Sequence, residues 1–119
     1  MIEGVKESRR IYVYRGICDM RRSFDRLARM VDEQIQSDPL SGDVFVFINR
    51  GSSRLKALYW DRDGYVLWYK RLEQGQFTLP GGEGIEIDRT AWVHMLEGIE
   101  AKIDRRQARQ VIPDGRKSK

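Results

Sequence analysis

Residues 44–72, VFVFINRGSSRLKALYWDRDGYVLWYKRL, carry the pattern that decides the fold. They open with an unbroken apolar run at 44–48, which is typical of a central strand covered on both faces. Two β-branched and aromatic segments follow at 55–60 and 65–72, and the Asp-Gly pair in the loop 61–64 between them is a strong hairpin signal. Because such short loops cannot make parallel crossovers, these segments predict antiparallel neighbours.

Upstream of this run, the sequence predicts one strand and one long helix. Residues 11–14, Ile-Tyr-Val-Tyr, form the strand candidate. Asp19 is well placed as the N-cap of a helix over residues 20–36, and the turn-forming residues 37–42 end that helix. Apolar side chains recur at spacings of three and four and so share one helix face: Met20, Phe24, Leu27, Ala28, Val31 and Ile35.

Downstream, the pattern predicts a shorter strand at 76–79, a glycine-rich connector at 80–84 and a last short strand at 85–87. Asp88 then caps a second helix, whose apolar residues lie within 92–99. Together these elements predict an α+β fold, in which an antiparallel meander sheet of four to five strands carries two helices packed on it.

Length and composition fit one soluble globular domain, since the chain has 119 residues, 40% apolar and 34% charged. No stretch approaches the ~20 apolar residues that span a bilayer, and no apolar run near the N-terminus resembles a signal peptide. Cys18 is the single cysteine, which excludes an internal disulfide framework and a multi-cysteine zinc site. We therefore expect a cytoplasmic protein that contacts no membrane and holds no metal or other cofactor.

The positive charge is concentrated at the C-terminal end of the chain. Residues 102–119 hold seven basic and two acidic side chains, a net +5, whereas residues 1–101 hold fifteen basic and sixteen acidic ones, a net −1. We therefore divide the chain into a single α+β domain, residues 1–101, and a basic tail, residues 102–119, that is partly helical or disordered.

Patterns for catalysis are weak. Cys18 and His94 are the one thiol–imidazole pair on offer, and nothing in the sequence places them together. Asp61 and Asp63 resemble metal ligands, but Asp-x-Asp-Gly between two strands is also what a hairpin turn uses. The glycine-rich segment 81–84 lacks the Gly-Lys-Ser/Thr ending of a phosphate-binding loop. The sequence therefore predicts a protein that is not an enzyme.

Basic residues make nucleic-acid binding a stronger hypothesis. Arg22, Arg26 and Arg29 cluster opposite the apolar face of the first helix, spaced to meet successive phosphates. Acidic residues at helical spacing can pair with them, so an ordinary solvated face is the alternative. Basic and aromatic residues also alternate in the strands, a composition that can stack bases. The candidate nucleic-acid-binding residues are Arg21, Arg22, Arg26, Arg29, Lys70, Arg71, Arg105, Arg106 and Arg109.

The register of the hairpin decides which aromatic residues are exposed, and two registers are open. A two-residue turn at 63–64 places Tyr59 opposite Trp68, whereas a four-residue loop places Trp60 opposite Tyr65. In either register both sheet faces carry aromatic residues, and the core of a small domain needs most of them. The candidates for binding a partner protein are Trp60, Trp68 and Tyr69.

Four ordered motifs make the sequence recognisable: DMRRSFD at 19–25, DPLSGDVFVF at 38–47, LYWDRDG at 58–64 and YKRLEQG at 69–75. With MLEGI at 95–99, they make residues 12–99 resemble a small accessory protein encoded by bacterial insertion sequences of the sixty-six family. That accessory protein is often called the TnpB of its family, and its gene is a second open reading frame of the element.

The resemblance implies a non-catalytic accessory factor for DNA transposition, which acts beside a separate and larger DDE transposase of the same element. It supplies no catalytic residues to carry over. We therefore expect the chain to bind the DNA of the element ends, the transposase, or both. The alternative is a protein–protein interaction module that docks on the transposase through exposed aromatic residues and never contacts DNA.

Overall fold

A five-stranded sheet forms the middle of the protein in the computed structural model, which describes residues 9–96. The strands are β1 (Ile11–Val13), β2 (Val44–Ile48), β3 (Arg54–Asp61), β4 (Gly64–Arg71) and β5 (Glu86–Ile87). Their order across the sheet is β4-β3-β2-β1-β5, so β4 and β5 are the edge strands.

Two helices cover opposite faces of this sheet. The first, α1 (Phe24–Met30), continues through a π-helical turn (Val31–Ile35), and the second, α2, includes residues 89–96. All five side chains of β2 are buried, as the unbroken apolar run 44–48 predicts for a strand covered on both faces. The predicted α+β class, with a five-stranded sheet and two helices, is confirmed.

Each helix packs on its own apolar cluster. Leu27, Val31 and Ile35 lie in one buried cluster with Phe45 and Phe47, on the face of the sheet that we call the α1 face. On the opposite face, the buried cluster contains α2 residues and the alternate residues of β2: Trp92, Met95, Leu96, Val44, Val46 and Ile48. As predicted, Asp88 caps α2, because its carboxylate accepts the N–H of Ala91 at 2.7 Å.

The strand pairing departs from a pure meander at β1. Strands β2, β3 and β4 are antiparallel neighbours as predicted, but β1 and β2 are parallel, with Ile11 opposite Val44. The intervening chain carries α1 and is long enough for the crossover that parallel strands need. The predicted strand at 76–79 is not formed; there the N–H of Phe77 instead donates to the carbonyl of Ser52.

The hairpin between β3 and β4 has the strand pairing of the second register, but Asp61 pairs with Gly64, so its turn is residues 62–63 rather than a four-residue loop. Trp60 lies opposite Tyr65, and Ala57 lies opposite Trp68. The turn itself contains Arg62, whose φ of 55° is left-handed. The alternative pairing of Tyr59 with Trp68 is therefore wrong. Trp60 and Tyr65 share one face of the sheet, and Trp68 lies on the other face with Ala57.

The first helix begins later than the apolar periodicity predicts. It starts at Phe24 rather than at residue 20, and its first backbone bond runs from the N–H of Leu27 to the carbonyl of Ser23. Asp19 does not cap it, since the Asp19 carboxylate accepts the backbone N–H of Arg21 at 2.9 Å. Residues 17–22 instead form a segment that contains a turn, in which the N–H of Arg22 donates to the carbonyl of Asp19 at 3.1 Å; we call it the entry segment.

Arg9 joins two loops at one end of the sheet. Its guanidinium donates to the carbonyls of Gly42 and Trp60, and it forms an ion pair with Asp61 at 3.5 Å. The guanidinium also lies 4.9 Å from the centroid of the Tyr59 ring. Asp61 is therefore the partner of an arginine that is only 11% exposed.

We expect Arg9→Met to lower the free energy of unfolding by about 2 kcal/mol, because several hydrogen bonds from a charged, largely buried donor are lost. Urea denaturation of the two chains measures the difference. Arg26→Met, at an exposed position of α1, is the matched control and should change stability by less than about 0.5 kcal/mol. Equal effects of the two substitutions would contradict this role for Arg9.

Candidate nucleic-acid interface

A depression of about 480 Å³ opens on the surface where the entry segment meets the loop between β2 and β3. Four arginines line this depression: Arg21, Arg22, Arg50 and Arg54. Asp19 is the acidic residue among its lining residues in the described part of the chain. We call this feature the arginine depression. Its size falls within the range of about 300–1,000 Å³ that is usual for ligand sites.

One buried lysine holds the entry segment against the sheet. The Lys56 side chain extends from β3, and the residue is 6% exposed. Its Nζ donates to the carbonyls of Met20 and Arg22 at 2.7 Å each and lies 4.8 Å from the centroid of the Tyr69 ring. Because an ammonium group in the interior needs partners, these contacts fix the backbone that carries Arg21 and Arg22.

The opposite wall of the depression is a loop ordered by a single asparagine. The Oδ1 atom of Asn49 accepts the N–H groups of Ser53 at 3.0 Å and Arg54 at 2.9 Å. The N–H of Ser52 donates to the Asn49 carbonyl at 3.0 Å, with Ser52 in a left-handed conformation at φ 58°. Arg50 and Arg54 are thus presented from a defined turn and the start of β3.

Most of the positive charge in the depression has no acidic partner. Asp19 pairs with Arg21 at 2.7 Å, and the guanidinium holds the pKa of that carboxyl far below its ordinary value. Within residues 9–96, no carboxylate pairs with Arg22, Arg50 or Arg54. Four arginines against one aspartate leave the lining with a net charge of +3.

Cys18 lies at the base of the entry segment and is 1% exposed. Burial raises the pKa of its thiol, and the nearby charges of Arg22 and Lys56 act in the opposite direction. Cys18 belongs to the cluster on the α1 face, whereas His94 is exposed on α2, which covers the other face. The structure therefore does not bring the thiol and the imidazole together.

We expect the Cys18 thiol to react with Ellman's reagent more than about a hundredfold more slowly in the native chain than in urea, because attack requires local opening. Both rates are measured from the absorbance of the coloured thiolate that the reagent releases, at a pH close to the ordinary thiol pKa of about 8.5. As a control, a small-molecule thiol with and without urea shows whether urea alone changes the rate of the reaction with the reagent. Similar rates in the native and unfolded chains would contradict the buried position.

The structure separates the arginines that the helical pattern groups together. Arg26 and Arg29 are exposed on α1, and none of the ion pairs within residues 9–96 involves them. Arg21 and Arg22 precede the helix and line the depression instead, and the Nη1 atom of Arg22 lies 2.9 Å from the Met30 sulfur. The predicted stripe of three helical arginines is therefore wrong in its placement of Arg22.

The remaining candidate residues are divided between the two faces of the sheet. Arg71 lies opposite Arg54 on the α1 face and pairs with Glu73 at 2.9 Å, whereas Lys70 lies opposite Leu55 and so points to the other face. Arg105, Arg106 and Arg109 lie outside the described residues, as does the rest of the predicted tail.

The three candidate aromatic residues do not form one surface. Trp60 and Tyr69 lie on the α1 face, where Trp60 is half-buried against Tyr65 with ring centroids 5.1 Å apart. Trp68 is on the other face, packed against the core cluster of α2. Tyr69 is 48% exposed and is therefore the aromatic residue of the three that remains open to a ligand.

Two arginines that line the depression, Arg50 and Arg54, are not among the residues that the sequence predicts for binding. Arg54 begins an alternation with Leu55, Lys56 and Ala57 that places the two basic residues on one face of a strand. This alternation with a period of two is the sequence signal that indicates the position of Arg54. Arg50 has no comparable signal, because its position depends on the loop that Asn49 orders.

The described part of the chain offers neither a cluster of metal ligands nor a helix that could span a membrane. Residues 9–96 contain no group of three or more His, Cys, Asp or Glu side chains that could hold a metal ion. None of the helices in this range has the length and apolar character needed to cross a membrane.

The fold and the arginine depression define a small α+β protein with a concave surface lined by four arginines. A family model described as "IS66 Orf2 like protein" matches residues 9–106, and the chain belongs to that family. The family name connects the chain to insertion sequences and their transposition. This agrees with the resemblance carried by the four sequence motifs.

Two proteins of Sinorhizobium fredii are similar to the chain. The uncharacterized protein y4hO is 39% identical over 93 residues, which cover 76% of this chain and 81% of that protein. The uncharacterized protein y4jC is 38% identical over 77 residues, covering 65% of this chain and 66% of that protein. No solved structure matches the chain.

Proposed function

We propose that the chain is a non-catalytic accessory factor that binds the DNA of its own insertion sequence and assists the transposase of that element. Family membership supports the role in transposition. The observation that carries DNA binding is the arginine depression, in which four guanidinium groups face a single carboxylate.

The chemistry of the depression suits phosphate groups. Guanidinium donors match the geometry of phosphate oxygens, and they keep their charge at every pH at which the protein is folded. Asp19 offers little competition, since its carboxylate is already held by Arg21 through several hydrogen bonds. Arg22, Arg50 and Arg54 are left as the groups with which an incoming polyanion pairs.

The charge distribution indicates local contacts rather than attraction by the whole domain. Residues 1–101 carry a net −1, whereas the lining of the arginine depression carries +3. Phosphates would therefore be drawn to this concave surface, and binding should depend steeply on salt because each contact releases counterions.

We expect the double substitution Arg22→Ala with Arg54→Ala to weaken binding to duplex DNA from the element ends by more than about tenfold in low salt. The slope of log K against log salt should become shallower by about 1 for each lost contact. Fluorescence anisotropy over a salt series measures both quantities, with thermal unfolding as the check on folding.

The matched control is Arg26→Ala with Arg29→Ala, which removes the same charge from exposed positions on α1. At about 0.15 M salt the control should retain affinity within about threefold of the original chain, since screening there limits charge effects to about 8 Å. If both double variants lose affinity equally, binding follows the total charge and is not specific to the depression.

The basic tail should add affinity without position-specific contacts. We expect replacement of Arg105, Arg106 and Arg109 by glutamine to lower affinity mainly at low salt, because these charges act through screened attraction. The same anisotropy series measures the effect. In the chain with the substituted tail, Arg22→Ala with Arg54→Ala should still weaken DNA binding by the same factor. If these substitutions no longer weaken binding there, the binding belongs to the tail.

The second candidate function is a protein–protein interaction module that docks on the transposase without DNA contact. Apolar residues exposed near the depression favour it, since Ile17 is 55% and Phe24 is 42% exposed. Co-purification with the transposase after nuclease treatment, together with no DNA binding by the isolated chain, would support this function over the first.

A further inference from the structure

We propose that the arginine depression and the Tyr69 ring form one site for an unpaired nucleotide of DNA, with the phosphate on the arginines and the base stacked on the ring. This inference rests on the proposed DNA binding and specifies its substrate as single-stranded or locally unpaired DNA. It assigns different tasks to the charged and the aromatic parts of the α1 face.

The register of the β3–β4 hairpin brings the two parts together. Arg54 lies opposite Arg71, and Lys56 lies opposite Tyr69. Directly opposed residues of an antiparallel pair point to the same side of the sheet, so these four side chains share the α1 face. Because β4 is an edge strand, Tyr69 lies at the border of the sheet and is 48% exposed.

Lys56 connects the ring to the depression. Its Nζ lies 4.8 Å from the centroid of the Tyr69 ring and 2.7 Å from the carbonyl oxygens of Met20 and Arg22, whose residues line the depression. The ammonium group over the ring is a cation–π contact, which restricts the ring without burying the residue. One side of the ring is therefore held against Lys56, on the same face of the sheet as Arg54 and close to the backbone that carries Arg21 and Arg22.

An exposed aromatic ring beside arginines is the arrangement that binds single strands. Each base has an apolar face that stacks on such a ring regardless of sequence, while the arginines contact the adjacent phosphate. In an intact duplex the base faces are already stacked on their neighbours, so a ring at this position gains nothing from paired DNA. The combined site should therefore bind single-stranded DNA more tightly than duplex.

The test compares the full chain with its Tyr69 variants on a fluorescent oligothymidine and on a duplex of the same length. We expect the unsubstituted chain to bind the single strand more tightly, and Tyr69→Ala to weaken that binding by about tenfold. Tyr69→Ala should weaken duplex binding much less than single-strand binding, since the duplex does not stack on the ring. Tyr69→Phe keeps a stacking ring and should retain single-strand affinity.

Tyr69→Leu is the packing control, because it keeps an apolar side chain against Lys56 without a stacking ring, and it should behave as Tyr69→Ala does. If the unsubstituted chain binds the single strand no better than the duplex, or if Tyr69→Ala leaves single-strand affinity unchanged, the inference is overturned and DNA binding stands. Absence of binding to either DNA by the unsubstituted chain would overturn the proposed function itself.

Discussion

The buried ammonium group of Lys56 is the interaction on which the candidate site depends. Removing such a charge from water costs several kcal/mol unless it finds partners, and here the carbonyls of Met20 and Arg22 and the ring of Tyr69 supply them. Both carbonyls thus accept hydrogen bonds from a residue of β3. The first helix starts at Phe24, and the entry segment before it forms one wall of the arginine depression.

Coverage of the sheet by one helix on each face explains where the open surface lies. The two apolar clusters bury the central strand completely, so β2 offers no side chain to a ligand. The candidate site instead uses exposed or half-buried residues of the edge strand β4, the β2–β3 loop and the entry segment. The candidate site therefore lies at the border of the sheet, where its charged groups are open to water.

Much of the fold was predictable because it follows from local pattern. The apolar run 44–48, the hairpin that follows it and the Asp88 cap of the second helix are each encoded by residues close in the chain. The parallel pairing of β1 with β2 was not, since it depends on a crossover through α1 rather than on a local loop. The start of α1 was also missed, because periodicity cannot report that Lys56 binds the preceding carbonyls.

For the candidate site, the chain alone established an α+β domain of near-neutral charge with arginines before and along its first helix, and its motifs pointed to the insertion-sequence family. Tertiary structure decided which arginines meet. Arg22 and Arg54 are far apart in sequence and line one depression, while Lys70 and Arg71 are adjacent and point to opposite faces. The reason is physical: strand alternation separates neighbours, and long-range hydrogen bonds bring distant segments together.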